Sequence, residues 1–381
     1  MQCVPLSNPS INDDDIAAVL AVLRTPTLSM GPRVRAFEQA IAAYVGTAEA
    51  VAVNSGTSGL HLCLAALDIG PGDEVITTPF SFVASANCVL YQGATPIFAD
   101  IDPLTLNIDP TQVASRVTDR TRALIPVDVF GQPAPIDELA AIAGRHGLEI
   151  VQDACEAIGA ERRGERVGSR ARAAVFAFYP NKQMTTGEGG MIVTDDVPYS
   201  RVLRSLSNQG RDDNGTWMHH IRLGFNYRLD EMSAALCVSQ LQRLDDILDR
   251  RERVAGWYHE RLRGLDGVEI PYVAPETTRM SWFVYVIRLA AEIDRDAVVS
   301  GLESAGIPSR PYFAPIHLQP LYRERFGYQP GDFPVTERVA RSTLALPFFT
   351  DMTEEQVETV CDRLTTCLAQ GSDRRMGKAA D

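Results

Sequence analysis

The chain has 381 residues, 45 % of them hydrophobic and 22 % charged, with a formal net charge of −13 and a pI near 5.0. This suits an ordinary soluble protein of two or three domains, and the acidic balance disfavours a nucleic-acid coat or a binder of anionic membranes, since both repel such a surface. No apolar run reaches the roughly 18 residues that span a bilayer and no apolar segment follows a basic start, so the cytoplasm is the expected location.

From about residue 48, β-rich runs alternate with helical ones. "AEAVAVNSG" reads as a strand and "SGLHLCLAAL" as a helix, "DEVITTP" as a strand and "SFVASANCVLY" as a helix, "TPIFADID" as a strand. "RALIPVDVFG", "IDELAAIAGRHG" and "LEIVQDA" continue the alternation, which implies a mainly parallel sheet covered on both faces. "AAVFAFYPN" fits a buried strand running into a turn at Pro180 and Asn181. Residues 230–263 read as one long amphipathic helix connecting two domains. After it, "MSWFVYVIRL" reads as a strand, "RDAVVSGLESAG" as a helix and "TEEQVETVCDRLTTCLAQ" as a closing helix, with a polar, frayed tail over 371–381. The expected organisation is a large domain over 1–245, whose N-terminal segment can pack on the smaller C-terminal domain over 246–375.

The cysteines, Cys3, Cys63, Cys88, Cys155, Cys237, Cys361 and Cys367, are odd in number, scattered and without a C-x-x-C pair, and read as reduced, buried thiols. The six histidines show no ligand spacing, so no metal site is expected.

Ligands of such sheets bind beyond the carboxyl ends of the strands. In "NSGTSGLHL" a strand gives way to a helix through Gly56, Thr57 and Ser58. Free N–H groups and the helix dipole make that junction an anion site, although plain N-capping by Thr57 or Ser58 is the simpler reading. Asp153 follows "LEIVQ" and is either a helix cap or the partner of a protonated ring nitrogen. Lys182 is a solvated turn residue, a phosphate neutraliser or a Schiff-base amine. Gln183 after it breaks the P-loop pattern.

Taken together, "FAFYPNKQMTTGEGGMIVTDD", "VQDACEAIGA", "NSGTSGLHLCLAAL", "DEVITTPFSFVASANCVLYQGATPIFADID", "GFNYRLDEMSAAL" and "LALPFF" resemble the DegT/DnrJ/EryC1/StrS family of pyridoxal-phosphate (PLP) sugar aminotransferases, in order from about residue 5 to 368. The resemblance implies an α/β fold of the fold-type I aminotransferase class, with a mainly parallel seven-stranded sheet in the large domain, a smaller C-terminal α/β domain, and a homodimer with shared active sites. It implies that Lys182 binds pyridoxal 5'-phosphate covalently and shuttles a proton, that Asp153 keeps the pyridine nitrogen protonated, and that Phe82 stacks on the ring. Gly56, Thr57 and Ser58 then hold the phosphate, Asn226 reaches it from the neighbouring subunit, and His317 borders the sugar. Arg228 and Arg310 are candidates for a substrate diphosphate.

Three positions depart from the family pattern. Ala177 stands where many members place a serine that donates to the phosphate, and Asp128 where histidine is common. Glu156 stands where glutamine or histidine faces the PLP 3'-oxygen, so its carboxyl is expected to be protonated or aimed at another donor. The implied reaction takes the amine of L-glutamate, or of glutamine, to a nucleotide-linked 4-keto-6-deoxy sugar. Cyclitol amination, an aminohydroxybenzoate-type synthase and a PLP-binding regulator without turnover are the alternatives. Lys182 itself argues against the dehydrating branch, which carries histidine there.

Overall fold

The computed structural model describes residues 4–212 and 218–378, with side chains to 369. Cys3 and the last three tail residues, 379–381, lie outside the described residues. The central sheet has seven strands in the order Glu49–Val53, Gly190–Thr194, Ala173–Ala177, Glu149–Asp153, Thr121–Ile125, Glu74–Thr77 and Thr95–Phe98. The last five pair in parallel, whereas Gly190–Thr194 runs antiparallel to both its neighbours. Its direction follows from its connection: the loop over 178–189 returns straight alongside Ala173–Ala177, where a parallel strand would need a long crossover. That loop carries Lys182, which therefore sits at the carboxyl end of Ala173–Ala177.

Helices cover both faces, so inner strands such as Ala173–Ala177 bury nearly every residue and read as unbroken apolar runs. Phe37 and Ile41 of helix Pro32–Val45 pack with Phe176 and Phe178 on one face, while Leu60 and Leu64 of helix Gly56–Ala66 pack with Val175 and Ile192 on the other. Helix Ile136–His146 has local causes for both its ends. Asp137 and Glu138 occupy its first turn, Arg145 and His146 its last, and Gly147 closes it at φ 66°.

The single long helix expected over 230–263 is two helices, Glu231–Leu241 and Leu244–Leu262. No glycine or proline marks the break. Arg243 leaves helical geometry at φ −118°, ψ 15°, and its guanidinium donates to the Ser10 carbonyl (2.6 Å) and to Asp15 Oδ2 (2.5 Å). The second helix is nonetheless the connector. Its Leu244, Ile247 and Leu248 lie in the core of the large domain, and its Val254, Ala255, Tyr258 and Leu262 in that of the small one. Val4 from the N-terminal segment is buried in the small-domain core as well.

The small domain holds a three-stranded antiparallel sheet, with Tyr285–Leu289 between Val268–Glu269 and Thr343–Leu346. Only the second half of "MSWFVYVIRL" is strand, because residues 281–283 bond instead to the large domain: Ser281 N to the Gly131 carbonyl (3.1 Å) and Phe283 N to that of Phe130 (3.2 Å). The closing helix runs Glu354–Lys378, which includes most of the stretch read as a frayed tail. Among the described residues no helix is long and apolar enough to cross a membrane, and six free cysteines are found.

Candidate active site

Three strand ends meet at one edge of the sheet. At the first, Ser55 caps helix Gly56–Ala66, its Oγ accepting from Ser58 N (3.1 Å), while Ser58 Oγ donates to Asn54 Oδ1 (2.7 Å). A Cβ on Gly56 would lie 2.6 Å from Cys155 Sγ and 2.9 Å from Ala177 Cβ, and one on Gly190 would lie 2.6 Å from the Ser55 carbonyl. Glycine is therefore obligatory where the helix start packs between the other two strand ends. The N–H groups of Gly56 and Thr57, ahead of the capped Ser58 N–H, have no partner inside the helix and form a cradle for an anion.

At the second strand end Asp153 is only 5 % exposed. Its Oδ2 accepts from Ser85 Oγ (2.7 Å) and its Oδ1 from Cys155 N (3.2 Å), both neutral donors. A buried carboxylate held only by neutral groups favours a cationic N–H as its next neighbour. One turn before Ser85, Phe82 stands 62 % exposed, with its carbonyl accepting from Ser85 N (3.3 Å). An anion cradle, a buried acid and an open aromatic face on the same edge fit a phosphorylated, protonated pyridine.

At the third, Lys182 N donates to the Tyr179 carbonyl (2.9 Å), and the loop is clasped by Gln240, whose amide accepts from Thr185 N (3.0 Å) and donates to Thr185 O (2.6 Å). Lys182 Nζ lies 3.6 Å from Glu156 Oε1 and 3.8 Å from the centroid of the Phe283 ring. The other Glu156 oxygen accepts from Phe130 N (2.9 Å), so the carboxyl is aimed at two donors. Burial pushes its pKa up, and the Lys182 charge opposes the shift.

Asp128 is buried and bonds to Gln152 and Ala134. Both its oxygens accept from Gln152 Nε2 (3.0 and 2.9 Å), Oδ1 also accepts from Ala134 N (2.7 Å), and its own N–H donates to the Asp153 carbonyl (3.0 Å). Burial raises its carboxyl to about 7 against those hydrogen bonds, with the charges of Asp153 and Glu156 adding to the rise. It ties the turn that leads to Ala134 to the end of strand Glu149–Asp153. Ala177 presents only a methyl group, and that methyl packs on Gly56.

Asn226 is exposed and its backbone bridges to Asn208, next to Tyr227, whose carbonyl accepts from Asn54 N (2.9 Å). The 226–228 segment therefore runs beside the cradle. Arg228 donates through Nη1 to Asn208 Oδ1 (2.9 Å), and Arg310 is exposed, its Nη1 on the Ser309 carbonyl (2.8 Å). His317 corrects the expectation that it borders the sugar. Its side chain is 0 % exposed, with Nε2 3.1 Å from Glu337 Oε1 and the ring 4.7 Å from that of Phe333. Burial lowers its pKa, opposed by Glu337. The reason is the turn Ile316–Leu318, where Ile316 N is anchored on the Pro79 carbonyl (2.8 Å) and the imidazole points inward.

Ser85, Phe283 and Tyr312 belong to the site and went unnoticed in the sequence. Tyr312 stacks on Phe130 (6.5 Å), and burial and then the Glu156 charge raise its pKa. One composition signal was also available: the sequence has only two lysines, Lys182 and Lys378, against 34 arginines. Arginine serves for salt bridges, but only lysine offers an amine that can lose its proton and attack a carbonyl. Among the described residues no three His, Cys, Asp or Glu side chains group to hold a metal ion.

Comparison with known proteins gives this geometry its relatives. The spore coat polysaccharide biosynthesis protein SpsC of Bacillus subtilis (strain 168) is 38 % identical over 97 % of this chain and 98 % of that protein. The GDP-perosamine synthase of Caulobacter vibrioides is 39 % identical over 96 % and 98 %. The solved PLP form of the putative sugar aminotransferase Spr1654 from Streptococcus pneumoniae superposes with a TM-score of 0.91 at 26 % identity, covering 97 % of this chain and 99 % of that one. A family model matches residues 9–365, and the chain belongs to the DegT/DnrJ/EryC1/StrS aminotransferase family.

Proposed function

We propose that this aminotransferase uses pyridoxal 5'-phosphate to move the amine of L-glutamate onto a nucleotide-linked keto-deoxy sugar, a 4-keto-6-deoxy hexose, for polysaccharide or glycoconjugate synthesis in the cytoplasm. The observation that carries the reading is the convergence of the Gly56 cradle, the buried Asp153 and the Lys182 amine on one sheet edge. Relatives named as a GDP-perosamine synthase and a sugar aminotransferase in PLP form support the substrate class and the cofactor.

When bound, the cofactor supplies an electrophilic carbon and a ring that withdraws electrons. Gly56, Thr57 and Ser58 would hold its phosphate, Phe82 would cover one face, and Asp153 would keep a proton on the ring nitrogen, its carboxylate fixed by Ser85 Oγ (2.7 Å). Lys182 Nζ would anchor the cofactor and, once free, would hold and release the proton that the exchange of the amine requires. Glu156 Oε1 orients that nitrogen from 3.6 Å. Arg228 and Arg310 are the groups proposed for the diphosphate. Exposed apolar side chains, Leu223 at 89 % and Met30 at 53 %, support burial against a second copy, with Asn226 reaching the phosphate of the neighbouring site.

The test is a panel of nucleotide keto-sugars incubated with L-glutamate, the product read by mass and NMR. A sugar gaining one amine while 2-oxoglutarate appears supports the proposal. Turnover of an inosose with none of the sugars would move it to cyclitols.

A further inference from the structure

Lys182 is not loose in its pocket. Its amino group lies 3.8 Å from the centroid of the Phe283 ring, close enough for a cation to be drawn to the ring face, with Glu156 Oε1 as the opposite wall at 3.6 Å. Phe283 is held in turn by a residue far from the chemistry. Arg251 is 2 % exposed and forms no ion pair among the described residues; its Nε donates to the Trp282 carbonyl (2.8 Å), Nη2 to the Phe283 carbonyl (2.8 Å) and Nη1 to Thr350 Oγ1 (3.1 Å). Burying a guanidinium on neutral acceptors is costly, and burial lowers its pKa to about 9.

The backbone at this seat is also strained. Trp282 has φ 44° and Phe130 φ 58°, the left-handed region that side chains with a Cβ avoid. The Phe130 peptide uses that conformation to serve both walls, its N–H on Glu156 Oε2 (2.9 Å) and its carbonyl on Phe283 N (3.2 Å). Two strained residues and a buried arginine, its guanidinium also 4.9 Å from the centroid of the Phe348 ring, meet at the segment that carries Phe283.

We propose that Phe283, locked by Arg251, is a resting seat for the Lys182 amino group whenever the lysine is not joined to the cofactor, and so biases the protein toward the amine-bearing form of the cofactor. A nitrogen joined to the cofactor is no longer the compact cation that a ring face attracts, so the seat stabilises only the states with a free lysine. A contact made in one state alone shifts that equilibrium alone. Phe283 and Arg251 are then positioning residues acting through Lys182. This inference rests on the functional reading above.

The test titrates the cofactor-free full-length chain with pyridoxal 5'-phosphate, followed by absorbance, and with pyridoxamine 5'-phosphate, followed by fluorescence. Because the cofactor-free chain already seats the lysine, removing the ring should leave pyridoxamine 5'-phosphate affinity unchanged and tighten pyridoxal 5'-phosphate capture. Phe283→Leu is expected to raise the ratio of the two dissociation constants, pyridoxamine over pyridoxal, by about 2- to 30-fold. Phe283→Tyr, which keeps a ring, should hold the parent ratio, and Arg251→Gln should move it the same way as Phe283→Leu by a smaller factor. A purely structural role would weaken both ligands together. An unchanged ratio in Phe283→Leu, or equal changes in the Leu and Tyr variants, overturns the proposal, and a parent ratio in a folded Arg251→Gln removes Arg251 from it. Failure of the parent chain to capture pyridoxal 5'-phosphate at Lys182 would overturn the functional reading instead.

Discussion

The edge of the large sheet and the strap over 281–283 both reach Lys182, and they are built differently. At the sheet edge each group sits where a strand stops, held by near neighbours: Ser55 caps the helix that Gly56 opens, Cys155 N bonds Asp153 two residues back, and Lys182 N bonds Tyr179. The strap has no regular structure and takes its shape from distant partners, Phe130, Gly131 and Arg251. Rigid elements hold the groups that bind and react, while a strained segment from the second domain sets how one of them rests. Chemistry and tuning can therefore be perturbed separately.

The sharpest break should come at the sheet edge. Lys182→Ala is expected to lower the glutamate half-reaction by about 10³-fold or more, measured by stopped-flow absorbance, because the proton carrier is lost. Asp153→Asn should cost about 10²- to 10³-fold in kcat through loss of the charge facing the ring nitrogen. Its melting temperature should hold or rise, since a buried carboxylate without a cation is removed.

Asp128 tests the layer behind the edge. Its pKa, raised to about 7 by burial, means the folded chain binds this proton more tightly than the unfolded one. Its contribution is complete below about pH 4 and lost as pH rises through about 7, a fall on the order of 4 kcal/mol in the cofactor-free chain. Glu156, also raised, adds in the same direction. Denaturant titrations from pH 4 to 8 should show that slope, and Asp128→Asn should reduce it. The variant should also lose about 1 kcal/mol, because an amide donor would then face Gln152 Nε2. A parent chain of equal stability at both ends of the range would contradict the burial argument.

The smallest effect on turnover is expected at His317. His317→Gln should lower stability by about 1 to 3 kcal/mol by disturbing its bond to Glu337, yet leave kcat/KM for the keto-sugar within about threefold. A large rise in KM would return His317 to the substrate site.

The same division governs what the sequence discloses. Gly56, Asp153 and Lys182 stood out because strand end, turn and helix start are local patterns, and a charged or glycine residue at such a junction is visible within ten residues. The break at Arg243 was hidden because its cause lies 233 residues away, at Ser10. Phe283 was hidden in an apolar run whose second half is an ordinary strand, and only its distant bonds to Phe130 and Arg251 pull it out of register. His317 misled because a lone histidine in a loop gives no sign of whether its ring faces inward. The scarcity of lysine was legible, and it singles out Lys182 more directly than the loop around it.

Borohydride reduction of the pyridoxal 5'-phosphate-loaded chain, followed by peptide mapping, tests the central claim most directly, since only Lys182, Lys378 and the N-terminus carry an amine that could take the tag. The account predicts a single modified peptide containing Lys182. A tag elsewhere, or no tag after loading, would contradict it.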